Sequence, residues 1–351
     1  MKRACRVQDI NLASQVGIAR LAALSCAPGT MRRLLLVALA LLGLAPAAAG
    51  AENYPSRTVT VVVPFPAGGS VDGVARILVQ KLNETVGQHF IVENRAGGAS
   101  GIVGANAVAK ATPDGYTLLI SASVHVINPF LYKNVPYDVR RDFSPVALLA
   151  EGPLIVSATP SVAADNLKDF FALVRKEPQK YTFGATTIGS ASHLAIELLK
   201  LDAHLDTLVV AYKGTAPALT DLMSGQIQLL ADPMLSSLPL AQGGKIKALG
   251  ITSLKRAAAA PDIPTVEESG MTGFAFVSWY GLWGPKNLPP DVSNKLQADV
   301  AKVLALPDVK ARLNGLGFEP IGSGGEQFAA YVRDEMAKYE KIIKDAKISV
   351  E

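Results

Sequence analysis

The residues best placed for chemistry lie in two glycine turns, each set between an apolar run and a helical repeat. In the first, Val59 to Val63 (apolar except Thr60) leads through Pro64-Phe65-Pro66-Ala67 to Gly68-Gly69-Ser70-Val71-Asp72. The prolines end the strand because they cannot donate to a ladder. The glycines tolerate positive φ and leave room for a guest beside the main chain. Val74, Ile77, Leu78, Leu82 and Val86 then recur at helical spacing until Gly87. In the second, Tyr181 to Ala185 leads through Thr186-Thr187-Ile188-Gly189-Ser190 to a helix that carries Ser192 and His193. The chemistry on offer is anion binding. First-turn amides lack intrahelical acceptors and carry partial positive charge, so a carboxylate is a natural guest. The plainer alternative is a pair of tight βα turns, with Ser190 or Ser192 acting only as an N-cap.

Two carboxylates stand at the same strand edge. Asp72 is either a first-turn acid favoured by the helix dipole or a partner for a ligand ammonium or hydroxyl. Asp232, before Pro233, is either a turn residue or a group at the distal end of the ligand. Ser121 and Ser123 follow a third strand and fall at that edge too. Catalytic arrangements are poorly supported. There is no Gly-x-Ser-x-Gly elbow, Walker loop or Gly-x-Gly-x-x-Gly fingerprint. His193 and Glu197 share a helix face, but a metal needs further ligands, so neither a metal nor a cofactor is expected. Ser190 or Ser192 beside His193 has no third group, which leaves a hydrolase as the weaker alternative.

The elements that position these groups read as βαβαβ. Strands at His89–Arg95 and Tyr116–Ile120 and a helix from Ile102 to Ala111 follow the first turn, with a second glycine turn, Ala96 to Gly101, between them. The alternation predicts an α/β fold with a parallel sheet, helices on both faces and ligands beyond the strand carboxyl ends. Val146 to Thr159 reads as strand, break at Glu151-Gly152-Pro153, strand, crossing into a second βα series. Strands are expected at Leu208–Tyr212, Leu229–Asp232 and Ile246–Thr252. Phe274 to Trp283 crosses back, with Trp279, Tyr280 and Trp283 as core aromatics. Helices at Val292–Leu304, Asp308–Leu313 and Phe328–Lys347 close the chain; the last has an apolar stripe and is expected to pack on the first domain. Domain 1 is thus 52–151 plus 277–351, and domain 2 is 152–276. Two domains of like plan, each offering a helix start, would clamp a small acid by a hinge motion.

Composition narrows the function. The chain of 351 residues carries 34 Lys and Arg against 30 Asp and Glu. Residues 1–51 read as an upstream extension and a signal peptide: Met31-Arg32-Arg33, an apolar core from Leu34 to Leu42, then a small-residue site with cleavage near Ala51. They hold six of the basic groups and one acid, so the remainder is near neutral and offers nothing to nucleic acid. They also hold both cysteines, Cys5 and Cys26; a cysteine-free mature chain suits an oxidising compartment. A lipobox at Cys26 is disfavoured by Ala23 where Leu is preferred.

An ordered series of motifs carries a family resemblance. Tyr54-Pro55-Ser56-Arg57, Val63 to Asp72, Glu93-Asn94-Arg95-Ala96-Gly97-Gly98, Pro113 to Leu119, Tyr212 to Pro217 and Pro264 to Gly270 resemble the Bug or TctC-like receptors of tripartite tricarboxylate transporters, over essentially all of 52–351. The resemblance implies a type II periplasmic-binding-protein fold, two βα domains with a ligand cleft between them. It implies a periplasmic receptor, monomeric, which passes a tricarboxylate, dicarboxylate, acidic amino acid or aromatic acid to membrane permease subunits. It places Phe65, Ala67, Gly68, Gly69, Ser70 and Asp72 on one side of the ligand, and Thr187, Gly189, Ser190 and His193 on the other. The carboxylate would be held by main-chain groups and two ordered waters, while Ser121, Ser123 and Asp232 set selectivity at its far end. Ala67 stands where the family often has Pro, and Ser70 varies among small residues. An orphan receptor feeding a signalling partner is the other reading of the same site.

Overall fold

The computed structural model describes residues 54–348; the expected leader and both cysteines lie outside them. The described residues form one compact unit. The first strand, β1 (Val59–Val63), is almost wholly buried. It pairs in parallel with β2 (Phe90–Asn94) and β3 (Thr117–Ala122). Between β1 and β2 runs α1 (Ser70–Val86), which ends on Gly87 in the left-handed conformation. Its Val74, Ile77, Leu78 and Leu82 are buried, each aliphatic side chain contributing about 1.5–3 kcal/mol of apolar transfer. Next come α2 (Ile102–Ala109) and, after β3, α3 (Val124–Leu131). A short α4 (Val139–Asp142) precedes β4 (Phe143–Ala158).

The second series comprises α5 (Leu167–Lys176), β5 (Thr182–Ala185), α6 (Ala191–Asp202), β6 (Leu208–Ala211), α7 (Thr215–Ser224), β7 (Leu229–Pro233), α8 (Met234–Gln242) and β8 (Lys247–Ile251). Strand β9 (Val277–Pro285), helices α9 (Pro290–Ala305) and α10 (Pro307–Gly315), strand β10 (Glu319–Gly324) and helix α11 (Gly325–Asp345) follow. Ten strands run in the order β2-β1-β3-β9-β4-β7-β5-β6, with β10 and β8 also paired to β4. β5 pairs in parallel with β6 and β7, repeating the plan of β1 to β3.

The sheet is mixed where alternation predicted a parallel one. β9 is antiparallel to β3 and β4, and β7, β8 and β10 are antiparallel to β4. β4 is one continuous strand, with no break at Gly152-Pro153. Residues up to Glu151 pair with β10, and those from Leu154 pair with β7 and β8. Pro153 is tolerated because the strand changes partners there. Two helices have no counterpart in the sequence reading: α3, with Pro129 in its last turn, and α8, which contains Pro239. Helix α11 buries Phe328, Val332, Met336, Tyr339 and Ile343. It packs on β4 and α3 as expected of the first series, and also on α6 of the second. Trp279 Nε1 donates to Tyr339 Oη at 2.9 Å and fixes α11 to β9.

Candidate functional site

Each sequence-predicted turn is built around one hydrogen bond that the sequence did not announce. Gly68, at φ +85°, donates its N–H to Asp72 Oδ2 at 2.9 Å. Gly189, at φ +72°, donates its N–H to His193 Nδ1 at 3.1 Å. Both are bonds from a glycine to a side chain four residues on, in the first turn of the helix that follows. The left-handed glycine turns its amide back towards the helix, a conformation that a β-carbon would resist. The two turns are therefore one device made with different residues.

Asp72 is consumed by this device. Its side chain is 3% exposed and accepts from Gly68 N–H, from Arg76 Nε at 2.8 Å and from Asn94 Nδ2 at 2.9 Å. Burial opposes its charge, but the bonds from Arg76, Gly68 and Asn94 outweigh burial and hold its pKa below the usual value. Asn94 also donates to the Phe65 carbonyl at 3.1 Å. Asp72 is thus the first-turn acid of the plainer reading, and it orders the turn from behind. Ala67, Gly68 and Gly69 remain exposed, and no side chain caps α1 at Gly69, which leaves its first-turn amides open to a guest.

In the second turn, Ser190 caps α6: its Oγ accepts from His193 N–H at 3.3 Å and donates to the Thr187 carbonyl at 2.7 Å. Thr187 Oγ1 donates to the Thr186 carbonyl at 2.6 Å, and Ser192 Oγ accepts from Thr186 N–H at 3.0 Å. His193 Nδ1 is an acceptor, so the neutral ring carries its proton on Nε2; burial, with Lys200 nearby, pushes its pKa down to about 4. Both serines are committed to the backbone and His193 to Gly189, so the pairing that the weaker hydrolase alternative needs is not formed. Nε2 lies 3.8 Å from Glu197, too far for a normal hydrogen bond. Among the described residues no group of three or more His, Cys, Asp or Glu side chains is placed to hold a metal.

The second turn is held against the loop between β2 and α2 and against α3. Ser100 Oγ donates to the Ile188 carbonyl at 3.3 Å. A β-carbon on Gly189 would stand 2.2 Å from Leu131 Cδ1 of α3. Ser121 and Ser123 are both buried, the first on β3 and the second at the start of α3, where its Oγ has no partner among the described residues. Asp232 is fully buried at the end of β7. It accepts from Thr215 Oγ1 at 3.1 Å and from Ser237 Oγ at 3.0 Å. Burial pushes its pKa up to about 7 against those hydroxyl bonds. Its oxygens tie the starts of α7 and α8 to β7. Tyr280, expected as a core aromatic, is buried on β9.

Sequence reasoning did not single out Asn94, Ser100 or Asn128 as site residues. The signal for Asn94 was available: a polar residue ending β2 opposite Val63, at the mouth of the first turn. A separate cavity of about 750 Å³ lies beside Glu151 and Pro153 of β4, lined also by Lys255, Lys310, Phe318 and Tyr331. It holds none of the predicted site residues.

Residues 74–348 match the model of a family described as the tripartite tricarboxylate transporter family receptor. The periplasmic binding protein BugD is 37% identical, with 84% of this chain and 99% of that one covered and a TM-score of 0.76. Rpa4515 of R. palustris, solved with adipate, is 35% identical over 85% and 100% of the two chains, with a TM-score of 0.79. MatC (Rpa3494) of Rhodopseudomonas palustris, solved with bound malate, is 34% identical over 83% and 100%, with a TM-score of 0.74.

Proposed function

The chain belongs to the receptor family of the tripartite tricarboxylate transporters, and from that premise we propose that it captures a small carboxylate between its two glycine turns and delivers it to the membrane subunits of such a transporter. It has the type II periplasmic-binding-protein fold of its neighbours. One observation carries the site: two strand–glycine–helix turns share the same hook, Gly68 to Asp72 and Gly189 to His193. That adipate and malate occupy two of its neighbours supports a dicarboxylate as the ligand class.

In this reading the ligand carboxylate takes the first-turn amides of α1 around Gly69 and Ser70, with Phe65 and Ala67 beside it. Thr187, Ser190 and ordered waters complete the other side. Asp72 and His193 hold the two cradles in shape without touching the ligand. The far end of the ligand meets Ser121 and Ser123, with Asp232 acting from behind through Thr215 and Ser237. The proposed lobes are 52–151 plus 277–351 and 152–276, hinged where β4 changes partners and where β9 returns. Export would remove a leader near Ala51 and place the receptor, monomeric and without catalysis, in the periplasm.

The test is a thermal-shift screen of the refolded protein against mono-, di- and tricarboxylates. A ligand at one hundred times its Kd stabilises by about 2.7 kcal/mol. A selective hit among the di- or tricarboxylates supports the reading. Turnover of any bound acid or ester, or silence across the panel from folded protein, overturns it.

A further inference from the structure

Ser100 lies outside both hooked turns, yet it bonds two elements beside them, and its neighbour Gly101 packs against a third. It is one of few non-glycine residues held in the left-handed region, at φ 52° and ψ 34°. Its hydroxyl donates to the Ile188 carbonyl, next to the glycine that forms the second cradle. Its own carbonyl accepts from Asn128 Nδ2 at 3.1 Å, on α3. Asn128 is fully buried, and its Nδ2 also donates to Tyr137 Oη at 3.4 Å. The next residue, Gly101, lies so close to the first cradle that a β-carbon there would meet Phe65 Cζ and the Pro64 carbonyl at 3.1 Å.

These contacts have a direction. Phe65, Gly101 and Asn128 all belong to the β1–β3 part of the fold, and they fix Ser100 from its own side. Ile188 belongs to the β5–β7 part. The strained backbone is held by Asn128 and by the close approach at Gly101, so the hydroxyl stays aimed across the cleft and loses little freedom when the bond forms. If the two parts swing apart, as a hinged receptor must, the Ser100–Ile188 bond breaks while the Asn128–Ser100 bond stays whole. Gly189 against Leu131 and Ile127 is the apolar half of the same contact.

We propose that Ser100 is an interlobe latch, a positioning residue that sets ligand affinity by favouring the closed receptor, without contacting the ligand. The proposal rests on the carboxylate-receptor reading for its affinity readout, but not for its conformational one. A ligand's apparent affinity falls with the population of the binding-competent state. Loss of one neutral hydrogen bond, net about 0.5–1.5 kcal/mol, lowers the closed-to-open ratio about two- to twelvefold, and the closed population by that factor where closed is the minor state.

The experiment places spin labels at exposed Lys110 and Lys245, one on each part, and measures their separation without ligand. The wild type is compared with Ser100→Ala, Ser100→Gly and Ser100→Thr. The proposal expects Ala and Gly alike to shift the distribution to longer separations, and Thr, which keeps the hydroxyl, to resemble the wild type. Every acid that binds the wild type should weaken by one common factor of about two to twelve in the Ala variant, through faster dissociation. Unchanged separations in a folded Ser100→Ala protein overturn the latch. So does a Gly variant that behaves as wild type while Ala does not, because backbone strain would then be the cause. A loss confined to one ligand makes Ser100 a direct contact and overturns it as well. If no acid binds the wild type, the carboxylate reading fails while the separations still judge the latch.

Discussion

Replacing Asp72 with Asn separates a carboxylate that touches the ligand from one that shapes the cradle. In the structure both oxygens are occupied: Oδ1 by Asn94, Oδ2 by Gly68 N–H and Arg76. An amide offers one acceptor oxygen and one NH2 group. Whichever way the substituted side chain turned, its NH2 would face a donor, either Asn94 on one side or Gly68 and Arg76 on the other. Hydrogen bonds to a charged group contribute about 1.5–3 kcal/mol each, and a stranded buried donor costs about as much. Arg76 is more than half exposed, so its ion pair adds at most about 1 kcal/mol. The expected loss is about 2–3 kcal/mol, divided between unfolding and binding. Urea unfolding and isothermal titration on the same variant measure the two shares. At about 1.4 kcal/mol per factor of ten, every acid should bind Asp72→Asn about tenfold or more weakly, by one common factor. Full retention of affinity and stability would refute the reasoning. So would a loss limited to ligands carrying an amino or hydroxyl group, because that would put Asp72 in direct contact.

Other substitutions probe the same geometry. Gly189→Ala must hold φ near +72° and displace Leu131, so it should lose on the order of 2 kcal/mol or more of stability; an unchanged urea midpoint would contradict this. Gly69 has φ −81° and nothing nearer to a β-carbon than the Pro66 carbonyl at 3.8 Å. Gly69→Val should therefore fold normally and weaken all ligands together, and undiminished titrations would remove Gly69 from the site. Asp232 has a raised pKa, near 7, so the folded protein holds a proton that the unfolded chain releases from about pH 3.8 upward. Its contribution is complete below that value and is lost as pH rises through about 7. Asp232→Asn should remove this dependence, gaining relative to wild type between about pH 4 and 8 by at most roughly 4–5 kcal/mol. The serine and threonine hydroxyls can rotate to meet either amide atom. Parallel pH profiles for the two proteins would show that Asp232 stays charged.

The turns themselves were legible because Gly68, Gly69 and Gly189 interrupt strong apolar periodicities, and because Pro64 and Pro66 can end a strand but not continue one. Strand β4 was read as broken since Gly152-Pro153 is ordinarily a stop. In the fold it is the place where one strand exchanges β10 for β7 and β8, which no local pattern encodes. Helices α3 and α8 have no counterpart among the elements read from the sequence, because each is short and interrupted by a proline, Pro129 or Pro239, so neither displays a sustained helical period. The repeated hook was invisible for a different reason. Asp72 and His193 share no chemistry as letters, and only the direction of the Gly68 and Gly189 amides makes them equivalent. Ser100 could not be found from its neighbours in sequence, since its partners, Asn128 and Ile188, are brought to it by two different parts of the fold.

The central claim is that one carboxylate sits between these two turns. Selective ¹⁵N-glycine labelling reads it directly, because Gly68, Gly69 and Gly189 lie at the proposed site while Gly225, Gly244 and Gly270 lie at other turns. The account predicts that titration with a bound dicarboxylate shifts the Gly69 and Gly189 amides together, at one saturation point, and leaves the remote glycines unmoved. Saturable binding that moves the remote glycines while Gly69 and Gly189 stay still would contradict it.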